Sequence, residues 1–271
     1  MQIVPIPALP ETPAPVKPPL KWAGGKRWLA PRLRPLWRRH AWRRLVEPFC
    51  GGLAVSLDLR PATALLNDAN PHLINFYTWL QEGLEASLPM HNDRRSYYLA
   101  RARFNRLVAY RRANTQEGAE LFYYLNRTGY NGLCRFNRKG FFNTPFGRYR
   151  EINYLRDFSA YREVLAPWDL RSGDFAGLEL QPDDFVYADP PYDVVFTQYS
   201  PDGFTWADQE RLAVWLARHP GPVVASNQAT PRILQLYTQL GFRLVLLDAP
   251  RLISCSGDRT PAKEVLALRN V

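Results

Sequence analysis

The sequence predicts an α/β fold built around an open, mostly parallel sheet. Three features carry this prediction: short continuous apolar runs, helical patterns between those runs, and polar or turn residues where each run ends. Alternation of strands and helices along a chain is typical of a parallel sheet with helical crossovers. A length of 271 residues allows one large domain, or one domain with a substantial insertion.

The predicted strands are buried on both faces of the sheet. Their apolar residues run continuously instead of alternating with polar ones, which suits strands that helices cover above and below. The runs are residues 44–47, 64–68, 185–189, 222–226, 242–247 and 264–268.

Helical patterns lie between these runs. They cover residues 52–59, 71–82, 206–219 and 230–240. The last pattern has the clearest boundaries, because Thr230 can cap the helix, Pro231 suits its first turn and Gly241 suits its end.

The middle of the chain departs from this rhythm. It is helical and basic at first, and then rich in Asn, Gly, Arg and aromatic residues. We interpret residues 76–155 as a domain inserted into a discontinuous catalytic domain of residues 19–75 and 156–271. Residues 1–18 are rich in proline, which suits neither a helix nor a central strand, so we expect an extended, poorly ordered arm.

Basic residues are concentrated in two stretches of the chain. Residues 17–46 contain ten Lys and Arg and no acid, and residues 94–156 contain fourteen against three acids. Since the net charge is +10, the rest of the chain is net acidic. An Arg-rich genome would explain the preference for Arg over Lys, but not the scarcity of acids in these two stretches. The placement favours contact with a polyanion, most economically nucleic acid.

Several classes of protein find no support in the sequence. No run of eighteen apolar residues is present, so we expect no membrane span, and the N-terminus lacks the features of a signal peptide. Cys50, Cys134 and Cys255 are far apart, and neither they nor the four histidines have the spacing of a metal site. We expect a cytoplasmic protein without a metal.

A glycine turn follows the first predicted strand, in the sequence VEPFCGG of residues 46–52. Gly51 and Gly52 permit close backbone approach, and Asp68 at the end of the next strand can accept both hydroxyls of a ribose. The turn lacks GxGxxG, so a nucleoside with an amino-acid tail fits it better than a dinucleotide. An ordinary strand, turn and helix with Asp68 as a cap is the structural alternative.

A second glycine motif, KWAGGK, precedes the first strand at residues 21–26. Adjacent glycines between lysines suggest backbone folded around an anionic or zwitterionic group. A flexible basic loop with Trp22 packed into the core would give the same pattern.

The most specific motif is VYADPPYD, residues 186–193. Asp189 ends a predicted strand, where open α/β sheets place their ligands. Pro190 and Pro191 make the backbone stiff and leave it with carbonyls only. A planar aromatic amine needs two acceptors, which the Asp189 carboxylate and the Pro190 carbonyl can supply, while Tyr192 offers a stacking face. A proline turn with Asp189 as a helix cap is the structural alternative.

Together these motifs resemble those of the Dam-type family of DNA adenine-N6 methyltransferases. KWAGGK is similar to the family's N-terminal cofactor motif, VEPFCGG to its glycine loop and ADPPY to its catalytic motif. Their order resembles the alpha group of amino-methyltransferases. Residues 124–149 are similar to the family's target-recognition segment, and the resemblance extends from about residue 20 to the C-terminus.

This resemblance implies a Rossmann-like, S-adenosylmethionine-dependent fold with a seven-stranded mixed sheet and an inserted helical target-recognition domain. It implies catalysis at Asp189, Pro190, Pro191 and Tyr192. S-adenosylmethionine would bind, and S-adenosylhomocysteine would leave, at a site that includes Asp189 and the following residues: Trp22, Ala23, Gly24, Lys26, Glu47, Pro48, Phe49, Gly51, Gly52, Asp68, Asp174 and Phe175.

We expect a monomer in solution, and the resemblance implies that it recognises GATC in double-stranded DNA. Lys21 would contact the first guanine, Leu133 and Pro145 the thymine methyl, and Arg135 the guanine paired with the last cytosine. The pair at 130–131 would enter the duplex beside a flipped adenine. The DNA-binding residues implied are Lys21, Arg127, Tyr130, Asn131, Leu133, Arg135, Asn137, Pro145 and Tyr149.

The chain departs from the family pattern at three places. Leu53 stands where the family's glycine loop has a further glycine, the segment after Ile253 is about one residue shorter, and the proline-rich arm has no counterpart. Three other functions stay open: methylation of cytosine N4, methylation of RNA or of a protein glutamine, and DNA binding without catalysis.

Overall fold

A seven-stranded mixed sheet organises the chain, and a computed structural model describes residues 16–193, 203–249 and 262–271 of it. The strands are β1 Leu45–Glu47, β2 Ala64–Asp68, β3 Trp168–Ser172, β4 Phe185–Ala188, β5 Val223–Gln228, β6 Arg243–Ala249 and β7 Ala262–Arg269. Their order across the sheet is β3-β2-β1-β4-β5-β7-β6, and only the pairings of β7 are antiparallel. The predicted α/β fold is confirmed.

Helices connect most of these strands. They are α1 Ala30–Arg38, α2 Ser56–Leu59, α3 Pro71–Glu82, α4 Arg94–Ala109, α5 Gln116–Thr128, α6 Ser159–Leu165, α7 Trp206–Arg218 and α8 Pro231–Gln239. Short 3₁₀ helices occupy Tyr130–Gly132 and Phe175–Gly177. As predicted, Thr230 caps α8 through its side chain, and Gly241 follows that helix with φ of 77°.

The direction of strand addition reverses between β1 and β4. From β1 the chain builds outward through β2 and β3, and from β4 it builds the other way through β5. In an open parallel sheet such a reversal leaves a crevice at the carboxyl ends of the two central strands, and ligands bind there. We call the carboxyl ends of β1, β2 and β4 the catalytic edge.

Both faces of the sheet are covered, which explains the continuous apolar runs. Leu66 and Tyr187 face a core shared with α3 and α5, whereas Leu65 and Val186 face a core shared with α7 and α8. Neighbouring residues in one strand therefore serve opposite cores, and both must be apolar.

Strand β3 and helices α1 and α6 have no counterpart among the elements read from the residues. β3 lies at one end of the sheet, and after buried Trp168 its residues are half-buried or exposed. Its sequence WDLRS therefore lacks the apolar run that marks the central strands. Because β3 lies at the edge of the sheet, it lacks the continuous apolar run from which the other strands were predicted.

The helix predicted at residues 52–59 is shorter than expected. It begins at Ser56, because Leu53 has φ of 59°, in the left-handed region that no helix continues through. Leu53, at which this chain departs from the family pattern, thus lengthens the turn between β1 and α2.

The middle of the chain contains α4 and α5, followed by a loop with isolated bridges at Gly129–Phe146 and Phe136–Phe142. Both helices share the core beneath the first face of the sheet, through side chains such as Phe104 and Phe122. We call residues 126–149 the recognition segment.

Parts of the predictions fall outside the described residues, namely positions 1–15 of the arm, Cys255 and the segment after Ile253. At the start of the described chain, the Tyr161 hydroxyl donates to the Lys17 carbonyl oxygen at 2.6 Å. Within the described ranges no helix has the length and apolarity to cross a membrane. No cluster of three or more His, Cys, Asp and Glu suited to a metal occurs among those residues either.

Candidate active site and nucleic-acid interface

Acidic residues converge on the catalytic edge. Glu47 is the last residue of β1, Asp68 the last of β2, and Asp189 directly follows β4. Since these strands are parallel, their carboxyl ends lie at one edge of the sheet, as the sequence predicted.

Lys26 joins the first glycine motif to the catalytic motif. Its ammonium lies 3.1 Å from Asp189 Oδ2 and donates to the Gly24 carbonyl oxygen at 3.0 Å. The two side chains are 6% and 18% exposed, so this is a largely dehydrated ion pair. Ala23 and Gly24 are exposed at the surface of the same loop, and Gly24 has φ of 78°.

The second oxygen of Asp189 is fixed from β5. The Ser226 hydroxyl donates to Asp189 Oδ1 at 2.7 Å, and it lies 3.1 Å from the Tyr187 hydroxyl. Burial raises the pKa of Asp189, while Lys26 and Ser226 act in the opposite direction. The carboxylate is thus held in one orientation with both oxygens partnered, and each oxygen retains capacity for a further donor.

The two prolines after Asp189 are anchored from α7. Pro190 is buried and Pro191 is exposed, and the Pro191 carbonyl oxygen accepts from Gln209 Nε2 at 2.8 Å. Asn227 donates in turn to Gln209 Oε1 at 2.9 Å. This backbone has no N–H group at either proline and is therefore held through the Pro191 carbonyl oxygen.

Tyr192 is held at its hydroxyl and at one face of its ring. The hydroxyl donates to Glu264 Oε2 at 2.6 Å, and the Lys26 ammonium lies 4.5 Å from the ring centroid. Burial raises the pKa of Tyr192 far above its ordinary value, so the phenol stays protonated and remains a donor.

The glycine turn is built around an indole ring. A side chain at Gly51 would lie 2.8 Å from Trp22 Nε1, and one at Gly52 would lie 2.8 Å from Trp22 Cβ. Gly51 also has φ of 45°, and its carbonyl oxygen accepts from the Tyr77 hydroxyl at 2.7 Å. The close approach that these glycines permit is to Trp22, which brings the two glycine motifs together.

Asp68 stabilises the glycine turn while remaining at the catalytic edge. Its Oδ2 accepts from the Gly51 N–H at 3.2 Å and its Oδ1 from the Asn70 N–H at 2.9 Å. Burial raises its pKa, and the two backbone hydrogen bonds oppose that shift. The helix cap that the structural alternative required is supplied by Asn70, whose side chain accepts from the first N–H groups of α3.

Glu47 is a fully buried acid with an unsatisfied oxygen. Its Oε1 has no hydrogen-bond partner among the described residues, and burial raises its pKa to about 8. The adjacent Pro48 is buried, and its carbonyl oxygen accepts from Asn67 Nδ2 at 2.9 Å. An unpartnered carboxyl oxygen beside a glycine turn suits the ammonium group of an amino-acid ligand, whose positive charge would favour the ionised form of the acid.

Aromatic rings form a wall beside this turn. The ring of Phe49 lies 5.6 Å from that of Phe175 and 5.5 Å from that of Phe204, measured between centroids. Phe175 is buried beneath this wall, whereas Asp174 is exposed and holds the Arg211 guanidinium through both oxygens, at 2.6 and 2.7 Å. Several residues that the family resemblance implies for the cofactor therefore lie around the same turn, namely Trp22, Phe49, Gly51, Gly52, Asp68 and Phe175.

Lys21 links the catalytic edge to the recognition segment. Its N–H donates to Asn126 Oδ1 at 2.9 Å, and Asn126 Nδ2 donates back to the Lys21 carbonyl oxygen at 2.8 Å. Asn126 is fully buried and also donates to the Gly132 carbonyl oxygen at 3.1 Å. One side-chain amide thus pairs with two separate stretches of backbone, much as a neighbouring strand would.

The Lys21 side chain lies partly inside the protein. Its ammonium donates to the Arg127 carbonyl oxygen at 3.2 Å and lies 3.6 Å from the ring centroid of Tyr149. Burial and the nearby Arg127 charge lower the pKa of Lys21 to about 8. The Tyr149 hydroxyl donates to the Gly129 carbonyl oxygen, and the Arg127 guanidinium donates to the Asn153 carbonyl oxygen.

The recognition segment presents exposed side chains on a backbone that is held internally. Tyr130 is 50% exposed, and its N–H donates to the Pro145 carbonyl oxygen at 2.9 Å. Asn131 is exposed and has φ of 52°, and Leu133 is half-buried. Gly132 is required here, because a side chain would meet Lys21 Cβ at 2.2 Å.

The tip of this segment carries Arg135 and Asn137. Arg135 is exposed, and its N–H donates to Thr144 Oγ1 at 3.3 Å. Asn137 is also exposed, and its Oδ1 accepts from the N–H groups of Lys139 and Phe141. A second asparagine, Asn105 of α4, pairs with the Phe142 backbone in both directions, at 2.8 and 3.0 Å.

Several residues of the site were absent from the sequence prediction. They are Ser226, Glu264 and Gln209 at the catalytic edge, and Asn126 in the recognition segment. Glu264 had a readable signal, because it is an acid at the start of the apolar run VLAL. No local pattern distinguishes the other three from ordinary polar residues.

The comparisons with known proteins bear on the same residues. Residues 22–251 match the family of D12 class N6 adenine-specific DNA methyltransferases. Among solved structures, a putative RNA methyltransferase from Pyrococcus horikoshii covers 90% of the chain at 9% identity, with a TM-score of 0.39. The family of this chain is therefore assigned from the sequence match and not from this structure.

Curated relatives are similar over most of the chain. The Retron Ec67 DNA adenine methylase of Escherichia coli is 37% identical over 267 residues, which cover 92% of this chain and 90% of that protein. The DNA adenine methylase of Escherichia coli K12 is 35% identical, with 92% and 94% covered. The DNA N-6-adenine-methyltransferase of Escherichia phage P1 is 34% identical, but this chain spans only 35% of its length.

Proposed function

The chain belongs to the D12 class of N6 adenine-specific DNA methyltransferases, and we propose that it methylates N6 of a flipped-out adenine in duplex DNA. The observation that carries this proposal is Asp189, whose side chain is only 18% exposed and whose two oxygens are fixed by Lys26 and Ser226 at the switch point of the sheet.

S-adenosylmethionine would supply an electrophilic methyl group at this edge. The residues present fit such a ligand. Glu47 has a buried oxygen free for an ammonium, Asp68 retains acceptor capacity for ribose hydroxyls, and Phe49 offers an aromatic face. Trp22 closes the glycine turn behind these groups.

The catalytic motif then orients the target amine. Its two N–H bonds need two acceptors, and we assign these to the Asp189 carboxylate and the Pro190 carbonyl. Drawing both protons away from the plane of the base weakens conjugation of the nitrogen lone pair with the ring. Because Asp189 is fixed before the base arrives, stabilisation of charge on that nitrogen costs little reorganisation. Tyr192 offers its ring for stacking.

Recognition of the target is assigned to the 126–149 segment together with Lys21. We propose GATC as the site, with Lys21 and Arg135 contacting guanines and with Leu133 and Pro145 contacting the thymine methyl. Tyr130 and Asn131, both exposed at the turn, would fill the space that the flipped adenine leaves.

We also propose the division into domains and the roles of the remaining residues of the loop. Residues 76–155 form the proposed recognition domain, with 19–75 and 156–271 as the catalytic domain. Arg127 and Tyr149 support the backbone of the DNA-contacting loop, and Asn137 shapes its tip. We expect a cytoplasmic monomer associated with DNA.

Base-resolution mapping of methyl marks tests the chemistry and the target separately. Purified protein, S-adenosylmethionine and unmethylated genomic DNA should yield N6-methyladenine confined to GATC. A different adenine motif would remove the GATC assignment and leave the chemistry standing, whereas N4-methylcytosine would remove the adenine assignment.

Replacement of Asp189 tests whether the chain is a catalyst or only a DNA-binding protein. Asp189→Ala should lower the rate of methyl transfer about 10²- to 10³-fold while DNA affinity is kept, because a preorganised acceptor is lost. Asp183→Ala is the matched control, since Asp183 precedes the same strand at its amino end and is mostly exposed. Equal rates in both variants would contradict the assignment of Asp189.

A further inference from the structure

Glu264 is a buried acid at the catalytic edge without a place in the mechanism above. It lies on β7 between β5 and β6, and only 9% of it is exposed. Its neighbours along the strand, Val265 and Leu266, are buried core residues. A carboxylate in such a setting is costly unless it is paired.

The partner of Glu264 is the catalytic tyrosine. Its Oε2 accepts from the Tyr192 hydroxyl at 2.6 Å, across seventy-two positions of sequence. Burial raises the pKa of Glu264, whereas the hydrogen bond from Tyr192 and the charge of Lys26 lower it. The acid is therefore tied to the catalytic motif and to the lysine that pairs with Asp189.

Tyr192 depends on these contacts for its orientation. The torsion that rotates an aromatic ring is broad and weakly restricted, so backbone position alone leaves the ring plane poorly defined. Glu264 fixes the hydroxyl end, and the Lys26 ammonium lies over one face of the ring. A base would then stack on the opposite face.

We propose that Glu264 is a positioning residue that sets the plane of the Tyr192 ring for stacking on the target base. This inference rests on the proposed function, since it gives Tyr192 the stacking role assigned there. It adds β7 to the elements that build the site, alongside β1, β2, β4 and β5. Glu264 acts through the phenol and does not itself touch the reacting amine.

Two substitutions at this position separate a lost hydrogen bond from a lost charge. Glu264→Leu removes the acceptor and should lower kcat about 10- to 100-fold, as expected for a hydrogen bond to a charged group. Glu264→Gln keeps a carbonyl oxygen for the phenol and should restore most of kcat. The dissociation constant for S-adenosylmethionine, measured by calorimetry, should stay within about threefold in both variants.

A spectroscopic readout follows the base itself. A duplex with 2-aminopurine at the mapped target adenine should brighten when wild-type protein unstacks the base. The fluorescence of the duplex bound to Glu264→Leu should differ from that of the duplex bound to wild-type protein. With Glu264→Gln the fluorescence should equal the wild-type value. Identical kcat and fluorescence in wild type and Glu264→Leu would overturn the proposal.

A double-mutant cycle tests whether Glu264 works through the phenol. Tyr192→Phe removes the donor, and adding Glu264→Leu to it should lower kcat no further than the more severe single change. If the double variant lost kcat by the product of the two single losses, the proposal would be overturned, because Glu264 would then affect kcat independently of the phenol.

Further controls separate a specific effect of Glu264 from an unspecific effect of substitution, from misfolding and from failure of the proposed function. Exposed Glu82, at the end of α3, gives the matched variant Glu82→Gln, which should behave as wild type. Circular dichroism and the affinity for S-adenosylmethionine report on folding of Glu264→Leu. If that variant has lost both the native spectrum and the affinity, Glu264→Gln and Tyr192→Phe provide the test instead. Absence of adenine methylation by wild-type protein would remove the proposed function, whereas loss of the Glu264 effect alone would remove only this inference.

Discussion

At the catalytic edge the functional side chains fix one another, whereas in the recognition segment the backbone is fixed and side chains such as Tyr130, Asn131 and Arg135 are exposed. Lys26, Asp189 and Ser226 form direct polar contacts away from water. Arg135 and Tyr130 instead extend from a loop whose own N–H groups are satisfied internally. The first arrangement suits one fixed geometry, and the second suits a surface that must meet a large, hydrated partner.

A buried side-chain amide joins the two regions, alongside the contacts of the Lys21 ammonium with Arg127 and Tyr149. Asn126 pairs with the backbone of Lys21 on one side and of Gly132 on the other. Lys21 precedes Trp22, whose indole packs on the glycine turn. A structural change in either region can therefore reach the other through the peptide bond between Lys21 and Trp22 and through packing of the indole on the glycine turn.

The largest expected effect concerns the buried acid at the catalytic edge. Burial raises the pKa of Glu47 from 4.5 to about 8, so the folded chain holds this proton more tightly than the unfolded chain. The resulting stability is fully present below about pH 4.5 and is lost as the pH rises through about 8, which amounts to roughly 3–5 kcal/mol.

Glu47→Gln should abolish that pH dependence. Without ligand, raising the pH from 5 to 9 should lower the free energy of unfolding in urea by roughly 3–5 kcal/mol more for wild type than for the variant, because the other titrating groups are common to both. Glu82→Gln serves as the exposed control and should follow wild type. Parallel curves for wild type and Glu47→Gln would show that burial of this acid has no such cost.

An intermediate effect is expected where the two regions join. Asn126→Leu leaves buried backbone groups of Lys21 and Gly132 unpaired and should lower the free energy of unfolding by roughly 2–4 kcal/mol. It should also weaken binding of S-adenosylmethionine, measured by calorimetry, because Lys21 directly precedes Trp22.

Asn105→Leu provides the comparison for that variant. Asn105 makes the same paired contact, but with Phe142 inside the recognition segment. It should lower stability without changing cofactor affinity. Equal cofactor affinities for the two variants would remove the special position given to Asn126.

The smallest expected effect lies at the exposed tip of the recognition segment. Arg135→Ala should cost roughly 1–3 kcal/mol of discrimination at the outer base pair of the site, since a bidentate contact to guanine is lost. Arg138→Ala, an exposed arginine three residues further on, should weaken binding uniformly across sequences. Methylation that stayed confined to GATC in Arg135→Ala would contradict the role given to Arg135.

The contrast also explains which parts the sequence predicts. β4 and Asp189 were predicted, because a strand buried on both faces leaves a continuous apolar run that ends at a polar residue. β3 was not, since an edge strand carries exposed residues. The helix after the glycine turn was predicted too long, because the left-handed conformation of Leu53 has no mark in composition.

Sequence alone determined the order of motifs, the open and mostly parallel sheet and the acids at the strand ends. These follow from local periodicity and from the rule that parallel strands share a carboxyl edge. Only the tertiary structure decided which side chains meet. Lys26 with Asp189, Glu264 with Tyr192 and Asn126 with Lys21 are pairs from distant parts of the chain. Such pairs depend on how helices and strands pack, and packing is a property of the whole chain that no local stretch encodes.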